Sequence, residues 1–159
     1  GTNNGTDLGS ASYNFGDLYL SGGVVFGPAS GSTVSSETLS SYEEGTWTPV
    51  DSSGASLTFS TAVGTYVKVG KLVTLSYSVV YPSTADTTDM KMGGLPFTPN
   101  NDFKYAGSQS YTTSSAAAAS TVTNNGAYIS YRTEGTSTTI NNDQLSSAVL
   151  RGSFTYETA

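Results

Sequence analysis

Hydrophobic residues recur at every second position in several segments of this chain, which is the period of a β-strand with one buried face. The clearest segment runs from Gly64 to Tyr81 and has a tight Val69-Gly70-Lys71 connection in its first half. Two alternating arms around a short glycine-containing turn predict a β-hairpin. We expect the second arm to bury the face formed by Val73, Leu75, Tyr77 and Val79.

Other segments also carry strand signals. Ser56 to Thr61 alternates, Gly126 to Thr133 follows an Asn-Asn-Gly turn, and Ser147 to Glu157 alternates around Gly152, a candidate bulge position. The alanine-rich run Ser114 to Thr121 lacks an amphipathic stripe and predicts a loop or a single helical turn. Short strands separated by Gly, Asn and Asp turns predict an all-β fold, a jelly-roll-like β-sandwich.

The first forty residues differ from the rest. Their apolar stretches are too short to bury a core within one chain, so we expect identical copies to wind together around a shared axis. The polar, Gly/Ser-rich stretch Gly27 to Ser41 predicts a linker, which places a domain boundary near residue 40. The start "GTNNGTDLG" is typical of a fragment of a longer protein or a processed product. The residues expected at the axis are Leu8, Phe15, Leu18, Leu20, Val24 and Phe26.

Composition narrows the classes of function. The chain has a formal net charge of −6, six Lys and Arg, and 11% charged residues. So few cations predict no nucleic-acid partner and no attraction to anionic lipid. Cysteine and histidine are both absent, which removes disulfides, thiolate metal sites and histidine-based triads, and we predict no cofactor and no metal. No apolar run approaches the roughly 20 residues of a membrane span, so no membrane insertion is predicted.

Four motifs in order resemble a known family. "DLGSASYNFGDLYLSGG" resembles a repeat common in bacteriophage tail fibres and tailspikes, although Asn14-Phe15-Gly16 stands where Arg-aromatic-Lys is common. "YEEGTWTPV" looks like the opening of a C-terminal tail-fibre domain. It is followed by "GTYVKVGKLV" and "GLPFT", as is common there. The resemblance covers most of residues 7–98 and none of the stretch Asn100 to Asn142.

The resemblance implies a homotrimeric virion protein at the distal end of a tail fibre. An intertwined β-stalk (residues 1–40) would carry a β-sandwich knob (residues 41–159). The knob would bind bacterial surface polysaccharide or lipopolysaccharide without cleaving it, and other tail-fibre or virion proteins would be its partners. Two alternatives stay open at this point: a structural trimerisation cap, and a polysaccharide-degrading tailspike end.

Two carboxylate pairs bear on the alternative of a polysaccharide-degrading tailspike end. Hydrolysis of a glycosidic bond needs two carboxyls about 5 Å apart, or about 6.5–9.5 Å apart. Glu43 and Glu44 are adjacent, so on a strand they would point to opposite faces and could not flank one bond. We expect them instead in a solvated turn. We expect Trp47 to pack in the core or at a subunit contact. Asp86 and Asp89 predict a solvated hairpin tip, because no calcium-loop spacing surrounds them.

Another pairing, Asp102 with Glu134, stays open, but nothing in the sequence argues for an enzyme.

The second half of the chain is more informative, because tyrosines there stand among asparagine pairs and beside an arginine. Aromatic rings stack on sugar faces, and Asn and Arg side chains reach sugar hydroxyls, while Tyr adds rigid contact area. The alternative is that these tyrosines are ordinary strand residues and the Asn pairs are turns. The candidates for receptor contact are Tyr105, Tyr111, Tyr128, Tyr131, Arg132, Asn124 and Asn125.

Overall fold

The structure, a computed structural model, divides the chain into two compact units, Gly1–Ser40 and Ser41–Ala159. It describes residues 12–13, 17, 19, 21, 24–25, 38–39, 41–100, 102, 105–118, 120–124, 127–133, 136 and 138–159.

In the first unit, strand β1 (Val24–Val25) pairs antiparallel with β2 (Thr38–Leu39), so a short strand lies within the predicted linker. Val24 is opposite Leu39. The other residues expected at a shared axis lie outside the described part of the chain, so the trimeric stalk stays a prediction. These residues are Leu8, Phe15, Leu18, Leu20 and Phe26.

In the described residues of the second unit, nine strands form one antiparallel sheet. Its helical elements are one short turn, α1 (Ser115–Ala118), and a 3₁₀ turn, η1 (Asp143–Leu145), among the described residues. The all-β prediction and the single turn in the alanine run are therefore confirmed. The strands are β3 (Tyr42–Trp47), β4 (Val50–Asp51), β5 (Thr61–Val69), β6 (Leu72–Val80), β7 (Met92–Gly93), β8 (Ala106–Thr112), β9 (Ser120–Asn124), β10 (Ile129–Thr133) and β11 (Val149–Glu157). The described part of the chain has no helix that is long and apolar enough to cross a membrane.

The sheet curves round its own core. Its strand order is β3-β5-β6-β11-β8-β9-β10-β7-β4, so β3 and β4 stand at opposite margins. Only Thr48 and Pro49 separate these two strands in the chain, and three peptide steps reach at most about 11 Å. The two margins must therefore come close together, and the sheet encloses one apolar core. Strands β3, β6, β10 and β11 supply most of that core, and Met90, Ile140 and Leu145 close it.

The β5–β6 hairpin forms where the alternation predicts it. Gly70 occupies the first position of the two-residue turn with φ +58°, a conformation that glycine adopts without strain. The face predicted to be buried is buried, because Val73, Leu75 and Val79 are fully enclosed and Tyr77 is 4% exposed. The hairpin prediction is confirmed.

Rings lie over glycines at four cross-strand pairs of this sheet. A Cβ built on each glycine would come against the ring of the residue directly opposite it. Each glycine thus provides room for an aromatic side chain that belongs to the neighbouring strand, an arrangement that pins the register of the pair. The pairs are Gly45 with Tyr66, Gly64 with Trp47, Gly107 with Phe154, and Gly152 with Tyr77.

The structure differs from the sequence predictions at two places. Strand β5 includes only Thr61 of the predicted strand Ser56 to Thr61; Ser56 has φ +57°, and the Leu57 amide donates to the Asp51 carboxylate. In the stretch Asn100 to Asn142 the strand predicted at Gly126 to Thr133 is present as β10, but the stretch also contains β8 and β9, which the sequence does not predict. Its small polar residues still complete the sheet, because backbone groups and not side chains form the ladder.

Candidate functional site

The adjacent glutamates lie within β3 and not in a turn, which corrects the sequence expectation. They point to opposite faces, and each accepts a hydrogen bond from a tyrosine: Tyr66 Oη donates to Glu43 (2.5 Å), and Tyr42 Oη donates to Glu44 (2.8 Å). Because the carboxylates accept these hydrogen bonds, they stabilise the protonated phenols and raise the pKa of both tyrosines. Trp47, expected to pack in the core or at a subunit contact, is 6% exposed and belongs to the core.

Asp86 serves a structural role in its loop. Its carboxylate accepts hydrogen bonds from the Asn142 side-chain amide (2.9 Å) and from the backbone and hydroxyl of Thr88. These donors, Asn142 first, hold the pKa of Asp86 below its usual 3.8. Asp89 forms an isolated bridge with Asn141. Within the described residues no three acidic side chains gather as metal ligands would.

Tyr131 lies in the core and not on a binding surface, which corrects its candidacy. It is fully buried, and its hydroxyl shares a 2.7 Å hydrogen bond with Tyr77 Oη. Burial raises the pKa of Tyr77 to about 12 and that of Tyr131 well above its usual value. Tyr105 is half-buried, and its ring packs edge-on against Tyr156 at 6.4 Å.

Three other candidates lie in or next to the β9–β10 strand pair, and a fourth lies outside the described residues. Tyr128 is partly exposed just before β10, with Lys91 Nζ 5.3 Å from its ring centroid. Arg132 is partly exposed in β10. Asn124 ends β9, and Asn125 lies outside the described residues.

Tyr111 is the candidate that the structure leaves on an open surface, with half of its side-chain area exposed. It lies on β8 opposite Arg151 of β11, and the Arg151 Cζ is 5.4 Å from its ring centroid. The ladder between β8 and β11 shifts by one residue here, because Gly152 pairs with Gln109 while Arg151 pairs with Tyr111. Ser110 is the extra residue of this bulge. In a regular ladder Ser110 would be opposite Arg151, and the alternation would turn Tyr111 towards the core.

Tyr111 and Arg151 belong to the outward face of β3, β5, β6, β11 and β8. Directly opposed residues of an antiparallel sheet share a face, so the register defines rows of side chains across these strands. One row runs Val63, Ser78, Arg151 and Tyr111. The next row consists of hydroxyls alone: Thr46, Thr65, Ser76, Ser153 and Ser108. Ser108 and Ser153 share a 3.0 Å hydrogen bond.

A shallow depression of about 530 Å³ lies on this outward face. The lining residues include Trp47, Gly64 and Tyr77, which are buried. Its volume is within the range of about 300–1,000 Å³ that small ligands occupy in proteins. The outward side chains at its rim are small: Thr46, Thr48, Val63, Thr65, Ser76 and Ser78.

We refer to the two rows, the depression and the Tyr111–Arg151 pair together as the hydroxyl face. Its chemistry is that of a binding surface, with hydroxyls that donate and accept, small apolar groups, an aromatic ring and one cation. Sequence reasoning missed Arg151 and the hydroxyl row. Their only sequence signal is the alternation of small polar residues in Ser147 to Glu157 and Gly64 to Tyr81, and the cross-strand register is needed to join them.

No family model, no curated protein and no solved structure matches this chain.

Proposed function

We propose that this chain is the C-terminal part of a bacteriophage tail fibre, and that residues 41–159 adhere to polysaccharide on the bacterial surface without cleaving it. The hydroxyl face carries the proposal. Its row of five hydroxyls lies beside an exposed tyrosine and a shallow depression, on a sheet with very few charges. A sugar chain presents hydroxyls and apolar C–H faces, and this surface can meet both.

Weak contacts suit such a role. A shallow site on one chain gives modest affinity, since little of the ligand is enclosed. In a trimeric fibre, identical sites would act together, and several fibres per particle would raise the effective concentration further. The particle would then hold the host firmly through sites that release individually.

The decisive experiment is competition for the host. Host cells are incubated with the purified chain at saturating concentration and then mixed with phage. We expect adsorption to fall several-fold, and undiminished adsorption would contradict receptor binding. A parallel assay for new reducing ends on host polysaccharide addresses the degrading alternative, and we expect no product.

An apolar row on the same sheet favours a second candidate, the structural trimerisation cap. Tyr42, Val69 and Leu72 are opposed across β3, β5 and β6, and they are 61%, 44% and 48% exposed. Exposed apolar side chains that adjoin one another are typical of subunit contacts. A single chain of 16.4 kDa would then be the minor species in solution.

Light scattering coupled to size exclusion tests this candidate. We expect a mass of three times 16.4 kDa for the unaltered chain. Replacing Val69 and Leu72 by Ser should shift the mass towards one chain, while Thr74→Ser, on the same face of β6, should leave it unchanged. A monomer for the unaltered chain would contradict the trimer.

A further inference from the structure

Arg151 gives the hydroxyl face its positive charge. The side chain is exposed, and within the described residues it has no ion-pair partner. Glu157, on the same face of β11, is six residues away, or about 20 Å along the strand. Glu44 lies on β3, three strand intervals and two rows away. The guanidinium is therefore an isolated cation in a chain whose net charge is −6.

The Tyr111 ring positions this cation. Contact between a guanidinium and an aromatic ring at 5.4 Å is favourable, and it restricts the rotamers of a long side chain. The planar guanidinium keeps its N–H donors for a planar or tetrahedral anion, which it can bind through two parallel hydrogen bonds. Half of the Tyr111 surface is still open to a ligand.

The cation adjoins the depression. Ser78 lines the depression and is directly opposite Arg151 on the neighbouring strand. Neighbouring strands are about 4.8 Å apart, so five strands from β3 to β8 span about 19 Å. A ligand that reaches Arg151 can thus extend over the hydroxyl row as well. This span suits an extended chain of several sugar units better than a single small molecule.

We propose that the hydroxyl face selects an acidic polysaccharide, whose carboxylate or phosphate group binds Arg151. A sugar ring packs against the open side of Tyr111, and the following sugars lie across the hydroxyl row and the depression. This assignment rests on the proposed function, since it names the ligand class and the surface for the same adhesion. The proposed binding surface is the outward face of the sheet and not the loops at the ends of its strands.

The test measures binding of the purified full chain to immobilised bacterial capsular polysaccharides by biolayer interferometry. The panel holds neutral polymers, polymers with uronic acid and polymers with phosphate. Each acidic polymer is paired with its own carboxyl-reduced or dephosphorylated form, so that only the charge differs. We expect binding to at least one acidic polymer, and at least about a tenfold loss when its charge is removed. Loss of binding after carboxyl reduction would identify the bound group as a carboxylate, and loss after dephosphorylation would identify it as a phosphate.

Variants locate the site on the same polymer. Arg151→Gln and Tyr111→Ala should each weaken binding about tenfold or more, and Arg151→Lys should lose less than Arg151→Gln, since it keeps the charge but not the planar donors. Ser76→Tyr should weaken binding by filling the depression. Lys71→Gln removes the same charge at the β5–β6 turn and should bind normally. Circular dichroism and the melting temperature establish that each variant is folded.

The outcomes separate the two proposals. If the chain blocks phage adsorption but Arg151→Gln and Tyr111→Ala bind like the unaltered chain, the site assignment is wrong and the adhesive function stands. Equal binding to an acidic polymer and its neutral form would overturn the acidic ligand. Failure to bind any polymer together with failure to block adsorption would overturn the adhesive function itself.

Discussion

The indole of Trp47 occupies the space that a side chain at Gly64 would need. The two residues are directly opposed on β3 and β5, and a Cβ at position 64 would overlap the indole nitrogen and its neighbouring carbons. Gly64 also opposes Tyr77 on its other side, so bulky rings flank it on both neighbouring strands. This glycine is needed for close packing and not for an unusual backbone angle.

We predict that Gly64→Ala lowers the free energy of unfolding by about 1–3 kcal/mol, because the enclosed indole cannot move aside without disturbing the core. Gly45→Ala is the matched control on β3. Its Cβ would meet the Tyr66 ring at 2.9 Å, but that ring is partly exposed and can swing outward, so the expected cost is smaller. Urea unfolding measures both variants. Equal costs would contradict this account of Trp47.

The Tyr77–Tyr131 hydrogen bond gives a second prediction. Either single change to Phe leaves one buried hydroxyl without its partner, at a cost of about 1–3 kcal/mol. The double variant removes both hydroxyls and should lose clearly less than the sum of the single changes. A double-mutant cycle by chemical denaturation measures the coupling, and strictly additive losses would show that the hydroxyls act independently.

Stability should decline at alkaline pH. Burial raises the pKa of Tyr77 and Tyr156 to about 12, against an ordinary value of 10.0. Below pH 10 both the folded and the unfolded chains keep these protons. Between pH 10 and 12 the unfolded chain loses protons that the folded chain retains, so the free energy of unfolding falls as pH rises. For Tyr77 the loss is about 1.4 kcal/mol for each unit of difference in pKa.

Urea unfolding at intervals from pH 8 to pH 12 measures this decline. The variant with Phe at both positions 77 and 131 is the control, since it lacks two of the buried phenols while keeping the exposed ionisable groups. We expect a shallower decline in that variant. The same slope in both proteins would place the alkaline sensitivity elsewhere.

Asn142 connects separate segments and gives a fourth prediction. Its buried side-chain amide donates to Ser53 (3.0 Å), Asp86 (2.9 Å) and Thr88 (3.1 Å). Asn142→Ala should cost about 1–3 kcal/mol of stability, because the hydroxyls and the carboxylate lose a shared donor. Asn141→Ala changes the neighbouring residue and should cost less.

The same variant should change the acid titration of Asp86. Because its folded pKa is lowered, Asp86 contributes stability above pH 3.8, and that contribution is lost as pH falls through the folded pKa. Without Asn142 the pKa should move up towards 3.8. Carboxyl carbon chemical shifts followed by NMR measure it directly, and an unmoved titration in Asn142→Ala would contradict the donor role.

Local pattern was enough to predict part of this fold. The β5–β6 hairpin combines two long alternating arms with a glycine at the turn, and both signals lie within twenty residues. Strands β8 and β9 carry no such signal, because serine, threonine and glycine dominate them. Their place depends on backbone pairing, of β8 with the distant β11 and of β9 with β8 and β10. Ser56 to Thr61 alternates, yet within it the Leu57 amide donates its hydrogen bond to the Asp51 carboxylate.

The sequence predicts which residue types the candidate site contains, but not how they are arranged. Tyrosines in the second half suggested ring stacking, but their orientation depends on partners far along the chain. Tyr131 points inward to Tyr77, 54 residues away, while a one-residue bulge turns Tyr111 outward to meet Arg151. Register between distant strands decides which tyrosine is available, and alternation within one strand does not reveal it.

The short link through Thr48 and Pro49 ties the first strand of the sheet to the last. A sheet usually frays from its margins, each of which can detach by itself and pair with another molecule. Here, peeling β3 away from β5 would strain the pairing of β4 with β7 through the same few bonds. The two margins should therefore open together or not at all, so neither margin offers a free strand from which the sheet could unfold one strand at a time.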